Sequence, residues 1–259
     1  MIWLEYAITG LFAGFLAGYL GIGGGLVLVP VLSWLFARDA ATAGMAVQIA
    51  VATSLATMLF TSMSSLLAHH QRNAIIWALV RQMLPGLLAG ALLGTVIADA
   101  IGNTALGIVF GIFALLVGLQ MLRDVRQVGN HPLPGHRAIA GTGLVISMLS
   151  SLLGIGGGSM TVPWLLWHGQ QVQKSIATAA ACGYPIAVAG TLGFVLLGDS
   201  HAGAPTLGYV HLPALAGVAL FSVFGAPLGV AAVHRSSPVL AKRFFALFLL
   251  VVAVKMLWR

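Results

Sequence analysis

Leu20-Gly21-Ile22-Gly23-Gly24-Gly25, with Pro30 five residues beyond its last glycine, decides how this chain is read, because it occurs twice. Leu153-Gly154-Ile155-Gly156-Gly157-Gly158, followed by Pro163, lies 133 residues on, both for the glycines (154 − 21) and for the prolines (163 − 30). Each copy ends an apolar run. Glycine costs about 1 kcal/mol relative to alanine inside a helix, so four glycines in five residues interrupt one. The backbone is expected to unwind at two equivalent places, with the remaining sequence as their scaffold.

Composition sets the class. Of 259 residues, 59% are hydrophobic and 7% charged, with a mean hydropathy of +1.03. A soluble domain carries about a quarter charged residues, so this chain reads as an integral membrane protein in contact with a lipid bilayer. A net charge of +7 would suggest nucleic acid in a soluble protein; here the basic residues read as topology determinants, and no nucleic-acid partner is implied. The single Cys182 excludes an internal disulfide and a cysteine-based metal cluster. The start, Met1-Ile2-Trp3-Leu4-Glu5, lacks the basic opening and cleavage site of a signal peptide, so the first apolar run is expected to remain as a span.

That run, residues 2–36, would be about 52 Å long as one helix, against a hydrocarbon core of about 30 Å. The break divides it into a long helix, Ile2–Leu20, and a half-helix, Leu26–Phe36. Spans follow near Ala43–Ala68, Ile75–Ala98 (with Gly86, Gly90 and Gly94 four apart) and Thr104–Leu122. The polar stretch from Arg123 to Arg137 is the linker between a first repeat (1–122) and a second (138–259). The second repeat has Ile139–Leu153, the break, Met160–Trp167, then spans near Ser175–Leu197, Val210–Val233 and Pro238–Trp258. Gly90-Ala91-Leu92-Leu93-Gly94 matches Gly225-Ala226-Pro227-Leu228-Gly229 at an offset of 135 (225 − 90), and Ala52-Thr53 matches Ala177-Thr178 at 125 (177 − 52).

Charge selects the topology. With four crossings per half, Arg and Lys fall on both sides. With five elements per half the halves are inverted, and of the 12 basic residues only Arg38, Lys255 and Arg259 lie outside, together with Glu5, Asp39, Asp99 and Asp199. The positive-inside rule favours the second arrangement. The expected fold is therefore all-α, an inverted repeat of two five-element halves whose discontinuous helices break at the glycine clusters, as in many secondary transporters.

The doubled Leu-Gly-Ile-Gly-Gly-Gly with its spaced proline, Ala52-Thr53-Ser54, and Gly90 with Gly94 resemble the TauE/SafE sulfite-exporter family of membrane permeases over essentially the whole chain. The resemblance implies transport of a sulfur-containing anion such as sulfite or an organosulfonate across a bacterial inner membrane, by export in some members and uptake in others. One departure is Ala177-Thr178-Ala179, where the serine at Ser54 is not repeated.

The residues themselves agree with an anionic substrate. Unwound glycines expose N–H groups, and helix N-termini carry about +0.5 of an elementary charge, so an oxyanion could dock near Gly23, Gly24, Gly25, Gly156, Gly157 and Gly158 without a buried Arg or Lys. Ser159 and Thr161 add hydroxyls in the second half only; Gln48, Thr53, Ser54, Thr178, Tyr184 and Trp164 complete the candidate substrate-binding set. Each has a plainer reading. Thr and Ser commonly bond a carbonyl or a neighbouring helix, the glycines could serve close packing, and Trp34, Trp164 and Trp167 suit interface anchoring. The histidines fall at span ends, and Cys182 is a small packing residue.

Enzyme chemistry is not expected. Leu26 and Ser159 occupy the third-glycine position of a dinucleotide fingerprint, no phosphate loop follows, and no acid pair or metal spacing exists. No cofactor or metal is implied. An aromatic-sulfonate uptake permease coupled to protons, a passive anion channel and a helper subunit are the alternatives, and a homodimer is compatible with any of them. An inside-negative membrane drives an anion outward by about 2.3 kcal/mol per charge per 100 mV, so export needs no coupling ion.

Overall fold

The computed structural model describes residues 2–20, 24–122, 129, 131–198, 205–233 and 238–258. They are mostly helical: α1 (Ile2–Leu20), α2 (Gly25–Phe36), a 3-10 turn (Ala43–Met45), α3 (Ala46–Gln71), α4 (Trp77–Leu122), α5 (His136–Leu153), α6 (Gly158–Trp167), α7 (Val172–Leu197), α8 (Leu212–Val233) and α9 (Pro238–Leu257). Among the described residues, the segments Ala43–Gln71, Trp77–Leu122, His136–Leu153 and Val172–Leu197 are long and apolar enough to cross a membrane. The chain is a multi-pass membrane protein.

The two spans expected at 75–98 and 104–122 form one helical run of 46 residues, about 69 Å at 1.5 Å per residue and too long for a single crossing. Gly102 bends it: its φ of 73° and ψ of 178° are open only to glycine. α4 thus has a first limb, 77–101, and a second, 103–122. Asn103, next after the bend, accepts the Val47 N–H at 2.8 Å, and so ties the start of α3 to the bend.

Side-chain contacts gather several element ends into two groups. On one side Glu5 lies 3.9 Å from Arg38, the Arg38 guanidinium covers the Trp34 ring at 3.4 Å with the Lys255 ammonium 5.1 Å away, and Tyr209 donates to Asp99 at 2.6 Å. On the other, the His70 ring meets Trp77 at 5.5 Å and His131 stacks on Trp167 at 5.0 Å. The start of α1 thus lies by the end of α2, and the chain leading into α5 by the end of α6.

Helix packing repeats as the sequence does. α1 lies along α8, and α5 along the first limb of α4. A Cβ on Gly10 would sit 2.6 Å from the Val218 carbonyl, and one on Gly143 2.8 Å from that of Met83. A Cβ on Gly225 would sit 2.3 Å from the Leu11 carbonyl, and one on Gly90 2.1 Å from that of Leu144. These partners are related by the sequence offsets, 133 (143 − 10, 144 − 11) and 135 (218 − 83, 225 − 90). Without hydrophobic drive between helices in lipid, such close backbone approach is what holds them together.

A hairpin absent from the sequence reading joins α7 to α8. β1 (Thr206–Leu207) pairs antiparallel with β2 (Val210–His211), Thr206 opposite His211 and Leu207 opposite Val210. Tyr209, Val210 and His211 are buried, so the hairpin is wedged into the helices. The other boundaries differ from expectation by a turn at most: α3 runs to Gln71, α5 starts at His136 within the stretch read as linker, and α7 starts at Val172.

Candidate functional site

The start of α2 meets the second break. α2 begins at Gly25, and a Cβ there would lie 2.4 Å from the Gly154 carbonyl oxygen and 2.8 Å from the Ile155 Cα. α5 ends at Leu153 with Gly154 in the left-handed conformation, φ 65° and ψ 28°, so a side chain is strained there as well as obstructed by Val51 and Val29. Ser54, on α3, donates to the Gly154 carbonyl at 2.8 Å and fixes the turn to that helix. Met58 from α3 packs against Gly156, and Ile186 from α7 against Gly157.

Both half-helices start without a side-chain cap. The N-cap residues are Gly24 and Gly157, neither of which can supply one. The Gly24 carbonyl accepts the Val27 and Leu28 N–H groups at 3.0 and 2.9 Å, and the Gly157 carbonyl accepts Met160 and Thr161 at 3.2 and 2.7 Å. The N–H groups of residues 156–159 have no hydrogen-bond partner among the described residues. Pro30 and Pro163, both inside their half-helices, free the carbonyls of Leu26 and Ser159 as well. No Asp, Glu, Lys or Arg is buried among the described residues. The electrostatics of the junction are those of helix ends and hydroxyls: two positive dipole ends in an interior without a countercharge.

The expected binding residues divide into two groups. Gly24, Gly25, Ser54, Gly156, Gly157, Gly158 and Ser159 lie at the junction; Gly23 falls outside the described residues. The others lie away from it. Gln48 bonds the Ala98 carbonyl at 3.3 Å, towards the Glu5 side. Thr53 accepts the His211 N–H at 3.0 Å, and Thr178 accepts the Ile76 N–H at 3.0 Å, so each threonine secures the chain just before a helix of the other half. Trp164 packs on His168, with centroids 4.5 Å apart, six residues past the start of α6. Tyr184 is half-buried and, two residues from Ile186, points to another face of α7.

Two groups were missed. Ser150 precedes the second break with its side chain buried and its hydroxyl unpartnered; the only sequence signal is a Ser-Ser pair ending an apolar run. His211 is buried beside Phe36 and Tyr6, with ring centroids at 4.9 and 6.1 Å. Its Nδ1 accepts the Ala214 N–H at 3.2 Å, capping α8, a role that requires the neutral ring. Burial pushes its pKa below the ordinary histidine value, against the opposing pull of Asp39. The unfolded chain then binds the proton first as pH falls, so stability is complete above about pH 6.5 and declines below it. His211→Asn keeps a capping acceptor but cannot titrate. Between pH 7.5 and 5.5 its Tm should fall less than that of the wild type; equal falls would show that His211 is not the group responsible.

Residues 6–256 match the family described as "Sulfite exporter TauE/SafE". The chain belongs to that family. A "Probable membrane transporter protein" of Haemophilus influenzae is 32% identical over 253 residues, covering 96% of each chain. One from Methanocaldococcus jannaschii is 26% identical over 234 residues, covering 89% of this chain and 86% of its own length. The relative YunE of Bacillus subtilis, also named as a probable membrane transporter protein, is 25% identical over 185 residues, 64% of this chain and 68% of its own. No solved structure matches. As a TauE/SafE member the protein is a membrane transporter and not an enzyme.

Proposed function

We propose that this TauE/SafE transporter moves a small sulfur-containing oxyanion, sulfite or an organosulfonate, which it binds near the membrane midplane between the two glycine breaks. One observation carries the reading: the uncapped start of α2 touches the turn that leads into the uncapped start of α6. Helix N-termini aimed into a protein interior bind anionic groups in transporters with discontinuous helices, and oxygens of an oxyanion would accept the N–H groups that α6 leaves unpaired.

The fold is read as an inverted repeat, with α1, α2, α3 and the two limbs of α4 in one half and α5 to α9 in the other. Support comes from the two broken helix pairs, whose ends fall in different groups, and from the close contacts that recur at the sequence offsets. Arg72, Arg81, Arg137 and Lys174 belong to the α5 side, against Arg38 and Lys255 on the α1 side. The α5 side is therefore cytoplasmic, in a bacterial inner membrane. The small-anion reading is preferred to an aromatic sulfonate because Trp164 packs on His168 and Tyr184 faces away from the Ile186 contact.

Thermal unfolding of the purified protein with sulfite, thiosulfate, sulfate, acetate and aliphatic and aromatic sulfonates tests this. A ligand at a hundred times its Kd stabilises the folded state by about 2.7 kcal/mol, so sulfite or a sulfonate should raise Tm while acetate does not. A folded sample that responds to no sulfur oxyanion would contradict the assignment.

A further inference from the structure

We infer that the anion is held on the second break alone, in a seat made by the N–H groups of residues 156–159 and the hydroxyls of Ser150, Ser159 and Thr161. The inference rests on the oxyanion reading above and adds that the two halves, alike at the N-caps of their half-helices, are unequal in binding. A hydroxyl buried in a helix ordinarily bonds to a carbonyl one turn back, as Thr57 does to Thr53, Ser175 to Gln171 and Ser222 to Ala219. Ser147 and Ser151 do so too, to Leu144 and Met148, and also reach the Gly86 and Ala91 carbonyls of α4. Ser150, between them, reaches nothing. Among the described residues five buried side-chain polar atoms lack a partner, and three of these, on Ser150, Ser159 and Thr161, fall within residues 150–161. Thr161 and Ser150 are wholly buried. Such groups are expensive to leave unsatisfied, so three around one helix start point to an absent acceptor.

Ser150 and Thr161 face one point, and Ser159, two residues before Thr161, borders the α6 start from another side. The Thr161 Oγ1 lies 3.3 Å from where a Cβ on Gly157, the N-cap of α6, would stand, and Ile146 reaches within 3.6 Å of the same point. Ser150, one helical turn after Ile146, shares that face of α5. The seat is then rich in donors and contains no cation. Donors from hydroxyls and successive N–H groups suit an anion with several oxygens on one centre.

The first half cannot build the same seat. The residues 133 positions before Ser150, Ser159 and Thr161 are Ala17, Leu26 and Leu28, and Leu26 and Leu28 are buried in the hydrophobic core. The start of α2 serves as the dry wall, with Gly25 pressed on Gly154.

Titration of full-length protein with sodium sulfite and methanesulfonate, read by ligand-induced Tm shift, tests the seat. Thr161→Val keeps the shape and removes the hydroxyl; Ser150→Ala and Ser159→Ala remove the others. Thr161→Ser restores one, and Ser33→Ala deletes an α2 hydroxyl that bonds the Pro30 carbonyl. Loss of a hydrogen bond to a charged ligand should weaken affinity at least about tenfold in Thr161→Val and Ser150→Ala, while Thr161→Ser and Ser33→Ala bind as the wild type does. If Thr161→Val does not fold, Ser150→Ala decides. Wild-type affinity in the folded variants would overturn the seat and leave the oxyanion transporter standing. A wild type that binds neither anion would overturn both.

Discussion

Gly25→Val should abolish the anion-induced rise in Tm and transport with it. The valine Cβ would have to occupy a point 2.4 Å from the Gly154 oxygen and 2.8 Å from the Ile155 Cα. Both are backbone atoms, so no rotamer change relieves the clash. Gly154 cannot retreat: its carbonyl is held by Ser54 and its Cα side by Val51 and Val29. The start of α2 must therefore swing away from the second break, which opens the junction to water and removes the dry wall. Overpacking costs about 1–3 kcal/mol of stability, a tolerable loss in a membrane protein, so a folded but unresponsive protein is expected. Gly44→Val, where nothing lies within 4 Å, is the control. Retention of a wild-type anion response by Gly25→Val would mean that contact between α2 and the second break is not needed.

The largest loss of stability is expected from Gly90→Leu. A Cβ at Gly90 meets the Leu144 carbonyl oxygen at 2.1 Å and the Ser147 Oγ at 2.2 Å. The side chain would drive α5 from the first limb of α4 and break two cross-helix hydrogen bonds, Ser147 to Gly86 and Ser151 to Ala91. Strain of about 3 kcal/mol from overpacking and about 1 kcal/mol per lost hydrogen bond together lower Tm on the order of 10 °C for a chain of this size. Gly141→Ala, on an exposed face of α5 with no atom within 4 Å, should instead raise Tm slightly, through helix propensity. Equal Tm values for Gly90→Leu and wild type would contradict the close packing of these helices.

How far the sequence could be read depended on the range of the interaction. The limits of α1 were legible to the residue, Ile2–Leu20, because an apolar run ends on glycines, and α2 begins one residue before the expected Leu26. These are local backbone preferences. The bend at Gly102 was legible only as a polar Gly-Asn between two spans, because a turn and a bend within a continuing helix carry the same local signal. The hairpin at residues 206–211 was not legible, since two strands of two residues have no periodicity and their burial comes from neighbours far away in the chain. The same holds for the hydroxyls. Nothing local tells Thr53, bonded to an N–H 158 residues on, from Thr161, bonded to nothing. Ser and Thr in a span carry the same signal whether they close a helix contact or await a ligand.

The central claim is that a saturable oxyanion carrier operates at the junction of the glycine breaks. Counterflow of labelled sulfite in proteoliposomes tests it most directly, with wild type and Gly25→Val in parallel. The expected result is a transient, saturable accumulation of label in vesicles preloaded with unlabelled sulfite, absent with acetate and absent in the variant. Flux that rises linearly with sulfite concentration, or counterflow that survives Gly25→Val, would contradict it.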